Sequence, residues 1–95
     1  MTVVNNLKSH NAITKISNLA NDLCEYFETE DEIDGDDTFI EIDEHNEVVS
    51  IKIDREYIKI QSDESASLRD LIKLAENVSI LPDGETVSVL ISISV

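Results

Sequence analysis

Thirteen carboxylates fall between Asp22 and Glu47, and no lysine or arginine interrupts them. Residues 1–21 contribute a charge of +2, residues 22–47 contribute −13 and residues 48–95 contribute −3, so one stretch carries nearly all of the net charge of −14. Carboxylates at this density repel one another, which costs folding stability. The stretch should therefore be either a solvated loop or a functional feature. The thirteen residues are Asp22, Glu25, Glu28, Glu30, Asp31, Glu32, Asp34, Asp36, Asp37, Glu41, Asp43, Glu44 and Glu47.

Catalysis has little support from the other reactive side chains. His10 and His45 lie at a predicted helix start and in a predicted turn, and nothing in the sequence brings them together. Cys24 falls on the apolar side of a helical pattern, which is typical of a small buried hydrophobic residue. The two glycines are 49 positions apart, so they form no glycine-rich phosphate loop. We expect no enzyme, no catalytic residue and no cofactor.

A calcium site is a separate hypothesis. Residues 30–41 (EDEIDGDDTFIE) resemble the calcium loop of the EF-hand family, with Glu30, Glu32, Asp34, Gly35, Asp36 and Glu41 at loop positions 1, 3, 5, 6, 7 and 12. The loop departs from the family because glutamates replace the usual aspartates at positions 1 and 3. A calcium-binding module is therefore an alternative function, and no residue is assigned as a metal ligand.

The spacing of the carboxylates also suits a mimic of a nucleic-acid backbone. Duplex DNA carries one charge per ~3.4 Å along each strand. Alternate residues of a β-strand lie ~6.5–7 Å apart on one face, so Glu41 and Asp43 would project at about the separation of neighbouring phosphates. Asp22, Glu25 and Glu28 give a comparable row on a helix.

The acidic residues of 30–37 would connect these two rows into one continuous acidic face. Ile33 and Phe39 lie among the charges and can anchor a partner. The competing interpretation is a solvated, mobile charge run that mainly confers solubility. Confinement of the charge to one part of the chain favours the functional interpretation.

Length and composition indicate one folded domain spanning residues 1–95. The chain is 41% hydrophobic, with only two glycines and one proline, which favours a packed core. A single cysteine excludes an internal disulfide, and no apolar run approaches the ~18 residues of a membrane helix. We expect a soluble, intracellular protein. Its acidity opposes direct binding to nucleic acid or anionic membranes, so its partner should be basic: a nucleic-acid-binding protein above all, or a polycation or metal ions.

Periodicity in the first half predicts one helix and a three-stranded meander. Apolar residues from Ile13 to Phe27 follow the 3.6-residue period of a helix spanning about 9–29, with Ser9 or Asn11 as N-cap. Period-2 alternation then predicts strands at about 38–43, 49–53 and 57–61. The predicted turns lie at residues 44–47 and 54–56.

The second half predicts a helix followed by a hairpin. Leu68, Leu71, Ile72 and Ala75 form an apolar stripe, with Ser67, Ser62 or Asp63 as the cap and Asn77 at the C-terminal left-handed position. Strands at 78–81 and 86–95 flank a turn at 81–84, with Pro82 at its first corner. The predicted fold is α+β in the order α-β-β-β-α-β-β, with two helices on one face of a mainly antiparallel sheet.

In size, acidity and element order, the chain resembles phage-encoded DNA-mimic proteins of the anti-restriction and anti-CRISPR classes. Some of those proteins pair a helix with a three-stranded antiparallel sheet, which is similar to the pattern of residues 9–61. The resemblance implies a non-enzymatic inhibitor, in the cytoplasm of a bacterial host, that occupies the nucleic-acid cleft of a CRISPR effector or restriction enzyme.

Two further alternatives remain open from the sequence. Immunity proteins that neutralise nuclease toxins are similar to this chain in size and charge. The second alternative is an adaptor or subunit whose sheet edge pairs with another chain. The final strand, with its exposed Leu90, is the candidate edge. A monomer and a small homo-oligomer are both consistent with the sequence.

Overall fold

Two helices cover one face of a five-stranded sheet in a computed structural model that describes residues 1–35, 37–56, 66–83 and 86–95. The predicted α+β class, with two helices and a mainly antiparallel sheet, is confirmed. The elements are β1 (Thr2–Asn6), α1 (His10–Asp34), β2 (Phe39–His45), β3 (Val48–Arg55), α2 (Ala66–Leu74), β4 (Asn77–Asp83) and β5 (Thr86–Ser94).

The core lies between the helices and one face of the sheet, whose strand order is β1-β2-β3-β5-β4. In register, Ile42, Ile51 and Ile91 form one row across three strands, and all three are at most 1% exposed. Burial stabilises each such side chain by about 1.5–3 kcal/mol relative to exposure. The alternate residues of these strands lie on the opposite face, which we call the open face because neither helix covers it.

One side of α1 supplies most of the helical contribution to this core. The buried stripe consists of Ala12, Ile16, Ala20, Leu23 and Phe27. Ile13, predicted in the stripe, is 45% exposed because Ala12 takes the core-facing position. Ser9 is the N-cap, as one of the two predicted alternatives, and its hydroxyl accepts from the Ala12 N–H at 3.1 Å. Neither helix of the described residues has an apolar stretch that could cross a membrane.

The predicted end of α1 at about residue 29 is wrong, because the helix continues to Asp34. Glutamate is a good helix former and aspartate is not, so Glu30 and Glu32 favour the helix within this acidic stretch. Gly35 then ends it with φ of +74°, and its N–H donates to the Asp31 carbonyl at 2.9 Å. This left-handed position suits a residue without a Cβ. Residues 30–34 are therefore the last turn of a helix and not a link.

A strand that the sequence did not indicate opens the described chain. β1 pairs in parallel with β2, from Thr2 opposite Phe39 to Asn6 opposite Asp43. All five of its residues are exposed, so it has no buried face. Period-2 alternation is a signal of one-sided burial, and that signal is absent from β1.

The hairpin between β2 and β3 is tighter than predicted. Glu44 and His45 belong to β2, and the turn contains only Asn46 and Glu47, with φ of 50° and 64°. The predicted turn at residues 54–56 is wrong at its start, because β3 continues through Arg55. The predicted strand at 57–61 lies outside the described residues.

The second half differs from the prediction at its element ends. Ser67 lies inside α2 and is not its cap, while Ser62 and Asp63 lie outside the described residues. Asn77 begins β4 and does not terminate a helix. Pro82 pairs with Val87 within the hairpin and is not a turn corner. A proline is tolerated there because β4 is an edge strand.

The final strand is not a sheet edge, which corrects the prediction made for it. β5 lies between β3 and β4 and pairs with both. Leu90 is 36% exposed on the open face, in register with Lys52 of β3 and Ser79 of β4. Among the described strands, β1 lies at one end of the sheet and β4 at the other.

Candidate protein-binding surface

Four of the thirteen carboxylates form an exposed row along α1, which we call the acidic ridge. Its members are Asp22, Glu25, Glu28 and Glu32. Their spacings of three, three and four residues keep neighbouring members on adjacent parts of the helix surface. Within the described chain, no lysine or arginine forms an ion pair with any of them. Among the described residues, the ridge is therefore a row of negative charge without an ion-pair partner on the outside of the helix layer.

Asp31 lies on a different side of α1 from the acidic ridge, and its role is structural. Its carboxylate accepts from the Thr38 hydroxyl at 2.6 Å, the Thr38 N–H at 3.1 Å and Arg55 Nε at 3.2 Å. Its side chain is 9% exposed and that of Arg55 is 5% exposed. Arg55 also lies over the Phe27 ring, with its Cζ 5.6 Å from the ring centroid. This Asp31 cluster (Asp31, Thr38 and Arg55) fixes the end of α1 to β2 and β3.

Glu44 also has a structural role. Its Oε1 accepts from the N–H groups of Lys8 and Ser9 at 2.7 and 2.8 Å, just before α1 begins. The pKa of Glu44 is lowered by the backbone hydrogen bonds from Ser9 and Lys8. A carboxylate at this position compensates the positive end of the helix dipole. Glu44 thus joins β2 to the start of α1 and is engaged within the chain.

Glu41 and Asp43 lie on the open face of the sheet, on the opposite side of the molecule from the acidic ridge. They alternate along β2 with Ile40 and Ile42, which are fully buried beneath the helices. The predicted continuous acidic face is therefore wrong, because the helical and strand carboxylates lie on opposite layers. Glu41 is also in register with Lys52 of β3, so positive charge is interspersed on the open face.

The remaining carboxylates differ in their surroundings. Glu30 is half-buried, and Asp34 is the last residue of α1. Asp37 is exposed, with its Oδ1 3.3 Å from the Met1 amino group. Glu47 occupies the left-handed turn position described above. Asp36 lies outside the described residues.

The EF-hand-like stretch is not a loop between two helices. Residues 30–34 belong to α1 and residues 39–41 belong to β2, which leaves only four residues between the elements. An EF-hand needs twelve loop residues to wrap one ion. Across the residues that the structure describes, no three His, Cys, Asp or Glu side chains form a group that could hold a metal ion.

Cys24 lies within α1, and the two histidines lie at the start of α1 and at the end of β2. Cys24 is half-buried against the core, where burial and the charge of Glu28 raise the pKa of its thiol. A raised pKa keeps the thiol protonated and unreactive. His10 is exposed at the start of α1, and His45 is exposed at the end of β2.

Sequence reasoning missed Thr38 and Arg55 as partners of a carboxylate. One signal was present, because Val49, Ile51, Ile53 and Arg55 continue a single period-2 row. An arginine that extends a buried row needs a buried acid, since an unpaired buried charge is costly. Which of the many acids it pairs with has no signal in the sequence.

The acidic ridge borders a shallow depression of about 360 Å³ lined by Met1, Glu28, Asp31 and Glu32. A lysine or arginine side chain of a partner can reach carboxylates there without displacing the core. The chain matches no protein-family model, no curated protein and no solved structure.

Proposed function

We propose that this protein is a non-enzymatic inhibitor that presents the acidic ridge as a mimic of nucleic-acid charge to a basic protein cleft. The observation that carries the proposal is the row of four exposed carboxylates without a described cationic partner. Only Glu32 lies in the last turn of α1, where the helix dipole disfavours negative charge, while the other three repel their neighbours along the helix. Because mutual repulsion along the row works against stability, a binding role accounts for its placement.

The ridge has a linear charge density comparable to that of one nucleic-acid strand. From Asp22 to Glu32 the helix advances about 15 Å, at roughly 1.5 Å per residue. Three intervals in this length give one charge per ~5 Å, compared with one per ~3.4 Å along a DNA strand. The ridge therefore suits a cleft that follows a single phosphate backbone better than one that encloses a whole duplex.

The partner that best fits this surface is the nucleic-acid cleft of a bacterial defence protein, such as a CRISPR effector or a restriction enzyme. Such clefts carry lysine and arginine side chains that neutralise phosphates. A carboxylate row can occupy the same side chains and exclude the nucleic acid. Association of this kind is steered by charge and weakens with added salt. The proposed setting is the cytoplasm of a bacterial host.

Competition with DNA is the experiment that tests this function. Purified CRISPR effectors and restriction enzymes are incubated with labelled target DNA and increasing amounts of this protein, at low and at high salt. We expect at least one effector to release its DNA and lose cleavage, with weaker inhibition at high salt. A separate arm uses nuclease toxins, and inhibition confined to that arm would identify an immunity protein instead. Inhibition that leaves DNA bound, or none in any arm, contradicts the proposal.

A further inference from the structure

Of the two end strands that the structure describes, β4 combines exposed apolar side chains with distance from the acidic ridge. Val78, Ile80 and Leu81 are 38%, 51% and 51% exposed. Residues 77–81 contain no charged side chain. Soluble proteins usually protect such edges with charges, prolines or bulges. Pro82 protects only the end of this strand, because it has no N–H to donate.

Charge distribution selects β4 over β1 as an edge for self-association. Met1, which precedes β1, lines the same depression as Glu28 and Glu32, so one end of the acidic ridge lies beside β1. β4 is four strand spacings away from β1, or about 19 Å across the sheet. Two copies joined at β1 would bring their acidic ridges together, whereas two copies joined at β4 would hold them at opposite ends.

We propose that β4 pairs antiparallel with β4 of a second copy of this chain, which joins two five-stranded sheets into one of ten strands. The contact is isologous, with a two-fold axis perpendicular to the sheet. The uncharged segment of residues 77–81 is centred on Ser79, so Ser79 faces Ser79 of the second copy. Val78 then faces Ile80 of the second copy on the helix-covered side.

This geometry brings apolar groups of both copies to the same side. A two-fold axis perpendicular to the sheet keeps both helix layers on one face. Leu74, the last residue of α2, is 40% exposed in the same helix layer. Each Val–Ile pair across two strands contributes roughly 0.2–1 kcal/mol. Five residues per copy is far below the ~20–30 of a standard interface, so the dimer should be weak and concentration-dependent.

Disulfide trapping tests both the contact and its register. In a Cys24→Ala background, Ser79→Cys places two thiols opposite each other on the two-fold axis. Directly opposed residues have Cα atoms about 4.5–5.5 Å apart, within the range that a disulfide spans. We expect Ser79→Cys to form a linked dimer under mild oxidation. The matched control is Val4→Cys on the open face of the other edge strand, which should remain monomeric.

The register has its own control. Asn77→Cys should not link to itself, whereas a mixture of Asn77→Cys and Leu81→Cys chains should link, because these positions face each other. Sedimentation over a concentration series gives an independent readout in the unmodified chain. Ile80→Lys should weaken the dimer at least tenfold, and Val3→Lys on β1 should not, with circular dichroism confirming that both variants fold. A wild-type chain that stays monomeric at millimolar concentration, or equal trapping of Ser79→Cys and Val4→Cys, would overturn the proposal.

Discussion

The last three turns of α1 carry carboxylates in two opposite environments. Asp31 accepts three hydrogen bonds from Thr38 and Arg55 and is almost completely buried. Glu25, Glu28 and Glu32 are exposed, and no lysine or arginine of the described residues pairs with them. The same side-chain chemistry therefore holds the fold together on one side of the helix and works against it on the other. Only the first side is explained by folding.

The largest effect should follow from breaking the Asp31 cluster. Arg55→Met leaves the Asp31 carboxylate buried without its cation, which costs about 3–5 kcal/mol. The matched control on the same strand is Lys52→Met, since Lys52 Nζ lies 3.6 Å from Asp54 Oδ2 in an ion pair that is half-exposed. Exposed pairs contribute up to ~1 kcal/mol. Urea unfolding of both variants measures the difference, and equal losses would show that the cluster does not hold the helix end.

Neutralising three members of the acidic ridge should raise the stability of the fold. Glu25→Gln, Glu28→Gln and Glu32→Gln together remove repulsion between neighbours on the helix and, at Glu32 in the last turn, repulsion from the helix dipole. We expect a gain of about 1 kcal/mol, from roughly 0.2–0.5 kcal/mol per like-charge pair and a dipole contribution. The gain should shrink in 0.5 M salt, because exposed charges are screened. Loss of stability in urea unfolding would mean that the ridge supports the fold after all.

Glu47 is another acidic residue at a position that is unfavourable for stability, here because of its backbone conformation. Its φ of 64° is left-handed, in a two-residue turn where glycine is the preferred second residue. Glu47→Gly should therefore raise stability by about 0.5–1 kcal/mol, as relief of the left-handed penalty exceeds the added chain entropy. Asn46→Gly is the control and should change stability less, because asparagine tolerates this region. Thermal unfolding measures both, and a destabilised Glu47→Gly would show that the Glu47 side chain is needed.

The smallest effect concerns Glu44 and is lost in acid. Because hydrogen bonds lower the pKa of Glu44 below its usual 4.5, its contribution is present above the pKa of the unfolded state. That contribution is lost as the pH falls through the lower pKa of the folded state. Melting temperatures of wild type and Glu44→Gln should differ at pH 7 and converge towards pH 3. Parallel curves over this range would contradict the role of Glu44 at the start of α1.

The sequence predicted those parts of the fold whose pattern reports one-sided burial. The stripe from Ile16 to Phe27 indicated α1, and the alternation around Ile51 and Ile91 indicated the central strands. β1 gave no signal because all its residues are exposed. The end of α1 gave none because acidic residues show no apolar stripe, so the helix was expected to end too early.

For the candidate binding surface, the sequence predicted the acidic residues but not their arrangement in space. Thirteen carboxylates mark an acidic stretch, but their division among the acidic ridge, the Asp31 cluster and the open face depends on which layer each element joins. The Asp31–Arg55 pair spans 24 residues, and nothing local specifies it. Charge patterns along a chain cannot show this division, because opposite faces of a two-layer fold alternate within one stretch of sequence.

The most direct test of the central claim compares two charge-matched variants at low salt, for affinity to an effector that the competition experiment shows to be inhibited. The ridge variant carries Asp22→Asn, Glu25→Gln, Glu28→Gln and Glu32→Gln. The control variant carries Glu41→Gln, Asp43→Asn, Glu47→Gln and Asp70→Asn, so each changes the net charge from −14 to −10. At roughly 0.4 kcal/mol for each exposed charge contact, the ridge variant should bind about tenfold more weakly. The control should remain within about twofold of wild type. Its loss measures the effect of net charge on association, which both variants share. An equal or greater loss in the control would contradict the assignment of binding to the acidic ridge.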